Sequence, residues 1–391
     1  MPSSPPQRIL VRGVNWLGDA VMSTPALLRL REARPEAHIT LLTHEKLHGV
    51  WVGHPAINSV LTFKADESAW AMGRRLRQEQ FHIGLTLPNS PRSAFELWLG
   101  GIPQRIGYAR PWRNWLLTQR VPSRPGTVAM RKRSAAEINR LVRENSTVST
   151  ATPPASAHHI HQYLHLTAAL GASTEPLPPH LGVHDTVTAR IVARFNLTAG
   201  RSPTPLWFGL NAGAEYGPAK RWPEESFVEA AIQIQRRTKC RWMIFGLQSE
   251  METCVRIASN IYRATEEEFG REEVARHPHV INLAGATNLR ELCAALKFCQ
   301  VVLTNDSGPM HVAAAVGTPV VVPFGSTSPE LTGPGLPGDT QHSCLRAPAP
   351  CAPCFLRTCP IDFRCMTGIT VSRVVEAVVT AATARRQRAA M

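Results

Sequence analysis

Arg8-Ile9-Leu10-Val11-Arg12-Gly13-Val14-Asn15-Trp16-Leu17-Gly18-Asp19-Ala20 holds a short strand, a glycine turn and the opening of a helix. Residues 8–12 are β-rich, Gly13 and Gly18 let the backbone turn tightly beside a ligand, and residues 20–33 carry helical apolar positions at Val21, Leu27, Leu28 and Leu30. The unit repeats outward. Strands are expected at 38–43, 58–63 and 81–87, with helical stretches between them. Strand–helix alternation of this kind builds a parallel sheet covered on both faces.

The alternation breaks at 122–158. That stretch holds Pro122, Pro125, the cluster Arg131-Lys132-Arg133 and a Ser/Thr/Pro/Ala run from Ser146 to Ala157. Such a composition buries little, so a flexible loop is expected. A helical segment at 159–170 follows. The interdomain linker is expected within the proline-rich stretch 171–205. A second alternation starts at Leu206, with strands expected at 206–210, 241–245, 279–283, 300–304 and 319–323. Helices are expected at 223–237, 249–262, 288–297 and 309–316, and a last one at about 371–386. The expected architecture is α/β, with two doubly wound units in tandem and ligands at the C-terminal ends of the strands. Binding-protein-like modules share it, so architecture alone names no reaction.

Composition narrows the classes. The 391 residues are 43% hydrophobic and 18% charged, an ordinary globular balance. A formal charge of +14 favours phosphorylated substrates, acidic lipid headgroups or nucleic acid, or else marks a merely soluble basic protein. No apolar run reaches the roughly 18 residues of a membrane span, and residues 1–7 have no apolar signal core, so no export is expected. The nine cysteines, an odd number, suit reduced thiols.

Three motifs carry chemistry. In the first, Asp19 is a carboxylate at a helix start, either a plain cap or a group with work to do in a cleft. Gly213-Ala214-Glu215-Tyr216-Gly217-Pro218-Ala219-Lys220-Arg221-Trp222-Pro223 follows a strand and precedes a helix. Its small residues and two cations suit a phosphate loop, or an ordinary βα loop with solvated cations. Thr304-Asn305-Asp306-Ser307-Gly308-Pro309-Met310-His311 ends a strand and opens a helix of small residues, whose free N–H groups suit a diphosphate. His311 is one turn in, structural or reaching the same phosphates. Phe324-Gly325-Ser326-Thr327-Ser328 is another small polar turn at a strand end. Cys351, Cys354, Cys359 and Cys365 could hold zinc, although their spacing is irregular for a zinc ribbon; reduced structural thiols or one labile disulfide are the alternatives.

Taken together and in order, residues 15–22, 213–223 and 305–314 resemble the ADP-heptose–lipopolysaccharide heptosyltransferases of glycosyltransferase family 9. The match runs through nearly the whole chain. The 215–223 run and the late cysteine segment resemble in particular the subfamily whose acceptor is heptosyl-Kdo2–lipid A. The resemblance implies a GT-B fold, two Rossmann-like domains facing a central cleft. Residues 1–185 would bind the acceptor and 200–370 the ADP-sugar, while a helix at 371–391 would pack back on the N-terminal domain. It further implies inverting transfer of L-glycero-D-manno-heptose from ADP-heptose to the lipid A-linked inner core, with Asp19 and Lys220 as the catalytic pair. Substrate binding would fall to Gly18, Glu215, Tyr216, Arg221, Glu250, Thr287, Asp306, Ser307, Gly308 and His311, with Glu250 and Thr287 toward the adenosine.

No Asp-x-Asp motif is present, so no metal and no cofactor is expected. The implied setting is cytoplasmic, with transient contact at the inner face of the inner membrane. Lys64, Arg74, Arg75, Arg77, Arg92, Arg105, Arg110 and Arg113 are candidate contacts for acceptor phosphates. Three rivals stand beside this reading: a family member acting at another core position, a nucleotide-sugar epimerase, and a non-catalytic nucleic-acid-binding protein. The last is weakened because the basic residues are dispersed and no recognition motif stands out, so no nucleic-acid partner is expected.

Overall fold

The computed structural model describes residues 6–145, 152–198, 205–276 and 279–390. The chain divides into two compact units. Unit 1 comprises Met1–Thr127 and Ser156–Gly182, and unit 2 comprises Val128–Ala155 and Val183–Met391.

Unit 1 is built on six strands: β1 (Arg8–Arg12), β2 (His38–His44), β3 (Ser59–Phe63), β4 (Ile83–Thr86), β5 (Gln104–Tyr108) and β6 (Gln119–Val121). Their order is β3-β2-β1-β4-β5-β6 and every neighbouring pair is parallel. Ile9, Leu10 and Val11 on the central strand are fully buried, as a strand covered on both faces requires. The order in which strands are added to the sheet reverses between β1 and β4. The loops leaving those two strands therefore diverge and open a crevice at their C-terminal ends.

Unit 2 repeats the plan with β7 (Trp207–Asn211), β8 (Arg241–Ile244), β9 (Val280–Asn282), β10 (Val302–Thr304), β11 (Val320–Pro323) and β12 (Ser343–Leu345), in the order β12-β11-β10-β7-β8-β9. All pairs are again parallel, and the switch point falls between β7 and β10.

Four expectations need correction. First, β5, β6 and β12 are absent from the sequence reading. Gln-Arg-Ile-Gly-Tyr, Gln-Arg-Val and Ser-Cys-Leu are too short and polar to stand out, and β6 and β12 lie at sheet edges, where one flank needs no partner. Second, the stretch read as a flexible loop contains the helix Ala135–Arg143, capped by Ser134, whose Ile138 is 1% exposed in the core of unit 2. Arg133 ties it further, donating to the carbonyls of Cys354 and, through its side chain, Pro350. Residues 146–151 of that stretch lie outside the described residues.

Third, residues 128–145, expected in the N-terminal domain, belong to unit 2; the division at Gly182 and Val183 falls inside the 171–205 stretch expected to hold the linker, which also contains the helix Asp185–Arg194 with Val187 and Ile191 buried. Fourth, the C-terminal helix Val371–Ala390, expected on the N-terminal half, is packed into unit 2. Val374, Val375, Val378 and Ala382 form its apolar stripe in the same core as Phe208 and Trp242, and it lies along the helix Glu224–Thr238. Arg237 pairs with Glu376 at 2.5 Å across that contact, and Arg385 donates to the Cys299 carbonyl at 2.8 Å.

The docking of the Ala135–Arg143 helix is open to test. Ile138→Ala is expected to cost about 2–5 kcal/mol, as large-to-small changes in a packed core do. Urea unfolding followed by tryptophan fluorescence would show the shift. A change within about 0.5 kcal/mol would mean the helix is only loosely held.

Candidate active site

At the switch point of unit 1, the β1 and β4 loops enclose a cleft of about 290 Å³. Its walls are Val14–Trp16 and Asp19, Leu87–Ser90, Tyr108 from the end of β5, and His159, Gln162, Tyr163 and Leu166 from the helix Ile160–Ala168 and the residue before it. Asp19 is half-buried and faces this space. It is not the helix cap. Trp16 holds that place without a side-chain bond, and Asp19 is the third residue of the helix Leu17–Ala33, with Gly18 beside it in the first turn. Negative charge is favoured there by the helix dipole.

The Tyr163 hydroxyl donates to Asp19 Oδ1 at 3.2 Å. Burial, and then the nearby Asp19 charge, hold the Tyr163 phenol well above its ordinary value, so it stays a donor. One carboxylate oxygen is thus oriented by a neutral hydroxyl. Tyr108, pushed up to about 12 mainly by burial, donates to the Gln162 carbonyl at 2.8 Å and fixes the same helix.

Beneath the cleft, Arg12 pairs with Glu96 at 2.9 Å, both nearly fully buried. Arg12 also bonds the Gly13 carbonyl and Asn15 Oδ1, so it props the turn that leads to Asp19. Arg113 works likewise: completely buried, it donates to the carbonyls of Pro88 (2.6 Å) and Tyr108 (2.9 Å) and to Asn89 Oδ1. Burial, with help from Arg110, lowers it to about 10. Of the eight basic residues expected to meet acceptor phosphates, none lines the cleft. Arg77, Arg105 and Arg113 hold backbone carbonyls, while Arg75 and Arg92 pair with Glu67 and Glu96.

Unit 2 places its groups at its own switch point. Lys220 Nζ lies 2.6 Å from Asp306 Oδ2, with both side chains largely buried, and Thr327 Oγ1 donates to the same oxygen at 2.5 Å. Lys220 also sits 4.9 Å from the centre of the Tyr216 ring, whose hydroxyl donates to the Phe355 carbonyl at 2.7 Å. Gly217 makes this turn possible: its φ is +149°, and a Cβ would come within 2.5 Å of the Arg357 carbonyl.

Asn211 and Asn305, at the ends of β7 and β10, stitch the two loops together. Asn211 Nδ2 donates to Ser307 Oγ at 3.1 Å, and the Trp222 amide donates to Asn305 Oδ1 at 2.9 Å. Ser307 caps the helix Gly308–Ala315 without a side-chain bond, and His311 is buried in it. Glu250 reaches the same loops. Its carboxylate stands where a Cβ of Gly213 would be, accepts from the Leu247 amide at 2.9 Å, and lies 4.0 Å from Arg221. Lys220, Asp306 and Tyr216 are thus brought together, and Glu250, Arg221 and Gly213 form a second group. Glu215 and Arg221 are exposed, and Thr287 is half-buried just before the helix Leu289–Phe298. Tyr163, Arg12 and Glu96 are not legible in the motifs. The polar turn at 324–328 was the available signal for Thr327.

The late thiols Cys351, Cys354, Cys359 and Cys365 are all free. Burial first, and neighbouring thiols second, push Cys351 and Cys365 up, the latter to about 12. Among the described residues no group of three or more His, Cys, Asp or Glu is arranged to hold a metal ion. Cys351, Cys354 and Cys365 belong to the core of unit 2. Cys351→Ser/Cys354→Ser is therefore expected to lower the unfolding midpoint and to leave kcat per folded molecule intact. Kinetics on the folded double variant would check this, and a large fall in kcat would contradict it.

Two Rossmann-type sheets, one presenting a carboxylate in a cleft and the other a lysine beside a helix start, are the parts of a GT-B sugar-transfer enzyme. The family model described as "Glycosyltransferase family 9 (heptosyltransferase)" matches residues 128–363, more than half of the chain, and the chain belongs to that family. It is 29% identical over 334 residues to Lipopolysaccharide heptosyltransferase 2 of Escherichia coli K12, covering 84% of this chain and 85% of that one. To Lipooligosaccharide heptosyltransferase 2 of Haemophilus influenzae it is 28% identical over 332 residues, with 83% and 85% covered. The solved structure of E. coli ADP-heptose lps heptosyltransferase II superposes with a TM-score of 0.72 at 26% identity, over 97% of this chain and 100% of that one. A family 9 enzyme from Veillonella parvula, 22% identical, shares the fold with a TM-score of 0.73 over 96% of this chain and 97% of that one.

Proposed function

We propose that this chain is an inverting heptosyltransferase that moves L-glycero-D-manno-heptose from ADP-heptose to the heptosyl-Kdo2–lipid A inner core of lipopolysaccharide. The observation that carries the reading is the Lys220–Asp306–Thr327 group beside the Ser307–Gly308 helix start, in a chain whose relatives are named lipopolysaccharide heptosyltransferase 2. The acceptor hydroxyl attacks the anomeric carbon from the face opposite the diphosphate, and its proton passes to Asp19. As the bond to ADP breaks, the sugar gains oxocarbenium character and negative charge builds on the departing phosphate. Lys220 and the N–H groups of the Gly308–Ala315 helix start stand where that charge is stabilised.

The donor diphosphate competes with Asp306 for Lys220, which makes the ion pair the resting state of the donor site. Glu250, against Gly213, takes the adenosine with Thr287. Glu215, Tyr216, Arg221 and His311 complete the donor side, and Gly18 the acceptor side. Transfer takes place in the cytoplasm with transient contact at the inner membrane; no helix among the described residues is long and apolar enough to cross one.

The test is incubation of the full chain with ADP-heptose and, in parallel, Kdo2–lipid A or heptosyl-Kdo2–lipid A, with and without chelator. The expected result is addition of one heptose, by mass, to the second acceptor only and regardless of chelator. Addition to Kdo2–lipid A instead would assign a different core position, and no addition to either would overturn the reading.

A further inference from the structure

We infer that the outer face formed by the helices Ala69–Gln78 and Pro91–Leu99 and the turn Asn114–Leu116 is a docking surface for an anionic phospholipid bilayer. The inference rests on the proposed lipid-linked acceptor and identifies the part of the protein that meets the membrane carrying it. Four aromatic rings form an unbroken chain across this face. Trp70 meets Phe95 edge-on at 5.8 Å, Phe95 stacks on Trp98 at 5.6 Å, and Trp98 meets Trp115 at 6.2 Å. Trp70 is 65% exposed, Trp98 42% and Trp115 64%.

These residues are not loosely placed. The two helices cross so closely at Gly73 that a Cβ there would lie 2.3 Å from Leu99 Cβ, which brings Trp70 alongside Phe95. Burying large apolar rings is among the strongest contributions a side chain can make, so a fixed ladder left in water marks an interaction site. Indoles favour the boundary between hydrocarbon and water, where the ring is buried and the N–H stays wet.

Charge selects the occupant. Arg74, exposed, follows Trp70 by four residues on the same helix. Arg92, at the start of the next helix, precedes Phe95. Arg120, also exposed, donates to the Asn114 carbonyl beside Trp115. Two carboxylates of these elements are already engaged: Glu96 is buried between Arg12 and Arg92, and Glu67 pairs with Arg75, while Asp66 is exposed in the turn before the Ala69–Gln78 helix. A rim of arginines around tryptophans complements acidic headgroups. Across a two-fold interface, a second copy of the chain would bring the same arginines against each other.

The probe is flotation of the full chain with phosphatidylcholine vesicles, with and without phosphatidylglycerol. The wild type is expected to float with the anionic vesicles. Trp70→Ser/Trp98→Ser/Trp115→Ser should lower the partition coefficient by at least about tenfold, and Tyr262→Ser, on unit 2, should not change it. Acyl-chain-brominated lipid should quench wild-type emission and fail to quench the triple variant. In turnover assays, the triple variant should lose rate on vesicle-embedded acceptor and keep it on detergent-dispersed acceptor.

Equal flotation of wild type and triple variant overturns the proposal. So does a wild-type dimer that the triple variant abolishes while flotation is unchanged, which would make the face an interface between copies. Vesicle binding by this face without any sugar transfer would leave the surface standing and remove the proposed activity. Transfer in detergent without vesicle binding would do the reverse.

Discussion

Replacing Asp19 by alanine is expected to lower kcat by about 10²–10⁴-fold and to leave donor affinity unchanged. The carboxylate stands in the unit 1 cleft, while the proposed diphosphate site is the Lys220–Asp306 group of unit 2, so its loss should remove the proposed proton acceptor and leave that group intact. Asp19→Asn should do little better, because an amide does not take the proton. Tyr163→Phe separates orientation from chemistry. It removes the hydroxyl that holds Asp19 Oδ1, and it should give a smaller fall in kcat with donor affinity unchanged. Steady-state kinetics and titration with ADP-heptose on each folded variant would test this. If Asp19→Ala keeps near-normal kcat, Asp19 serves only the helix start and the base is another group.

Lys220→Ala should fail differently. In the proposed reaction its ammonium meets the donor phosphate in both the ground and the transition state, so both binding and turnover should suffer. A charged hydrogen bond of about 1.5–3 kcal/mol corresponds to roughly 10- to 100-fold weaker ADP binding. A second effect must be kept apart from it. Removing the lysine leaves Asp306, 4% exposed, held by the Thr327 hydroxyl without its cation, and orphaning one member of a buried pair can cost about 3–5 kcal/mol of stability. Lys220→Ala/Asp306→Asn should regain much of that stability and none of the donor affinity. Calorimetric titration with ADP alongside urea unfolding separates the two. Normal ADP binding by a folded Lys220→Ala would remove Lys220 from the donor site.

The sequence carried the central strands well, because Ile9-Leu10-Val11 and Val320-Val321-Val322 are buried on both faces and read as unbroken apolar runs. Edge strands such as Gln119–Val121 have one unpartnered side and few apolar residues, so nothing in their composition distinguishes them from a loop. The Ala135–Arg143 helix was hidden by its Ser/Thr/Pro flank and its arginines; one buried isoleucine does much of its anchoring. Lys220 and Asp306 were each legible in a motif, but their meeting depends on β7 and β10 being neighbours, which no local pattern states. Tyr163 looked like any aromatic on a helix face. Arg113 was read as a contact for acceptor phosphate; instead it is walled in, and Gly107 stays a glycine because a Cβ would come within 2.7 Å of Thr86 and 3.2 Å of Arg113 Nη2.

The buried Arg12–Glu96 pair has a consequence for how this enzyme can diverge. The two residues lie far apart in the chain, yet one guanidinium joins the turn before Asp19 to the helix Pro91–Leu99. Neither can drift alone, since a lone substitution strands a charge in the interior. Across descendants of this sequence, positions 12 and 96 should therefore change in concert. A chimera that imports the 8–20 segment from a relative should fold well only when residue 96 travels with it. That helix also carries Phe95 and Trp98, so heritable adjustment beneath Asp19 is mechanically tied to the outer aromatic face.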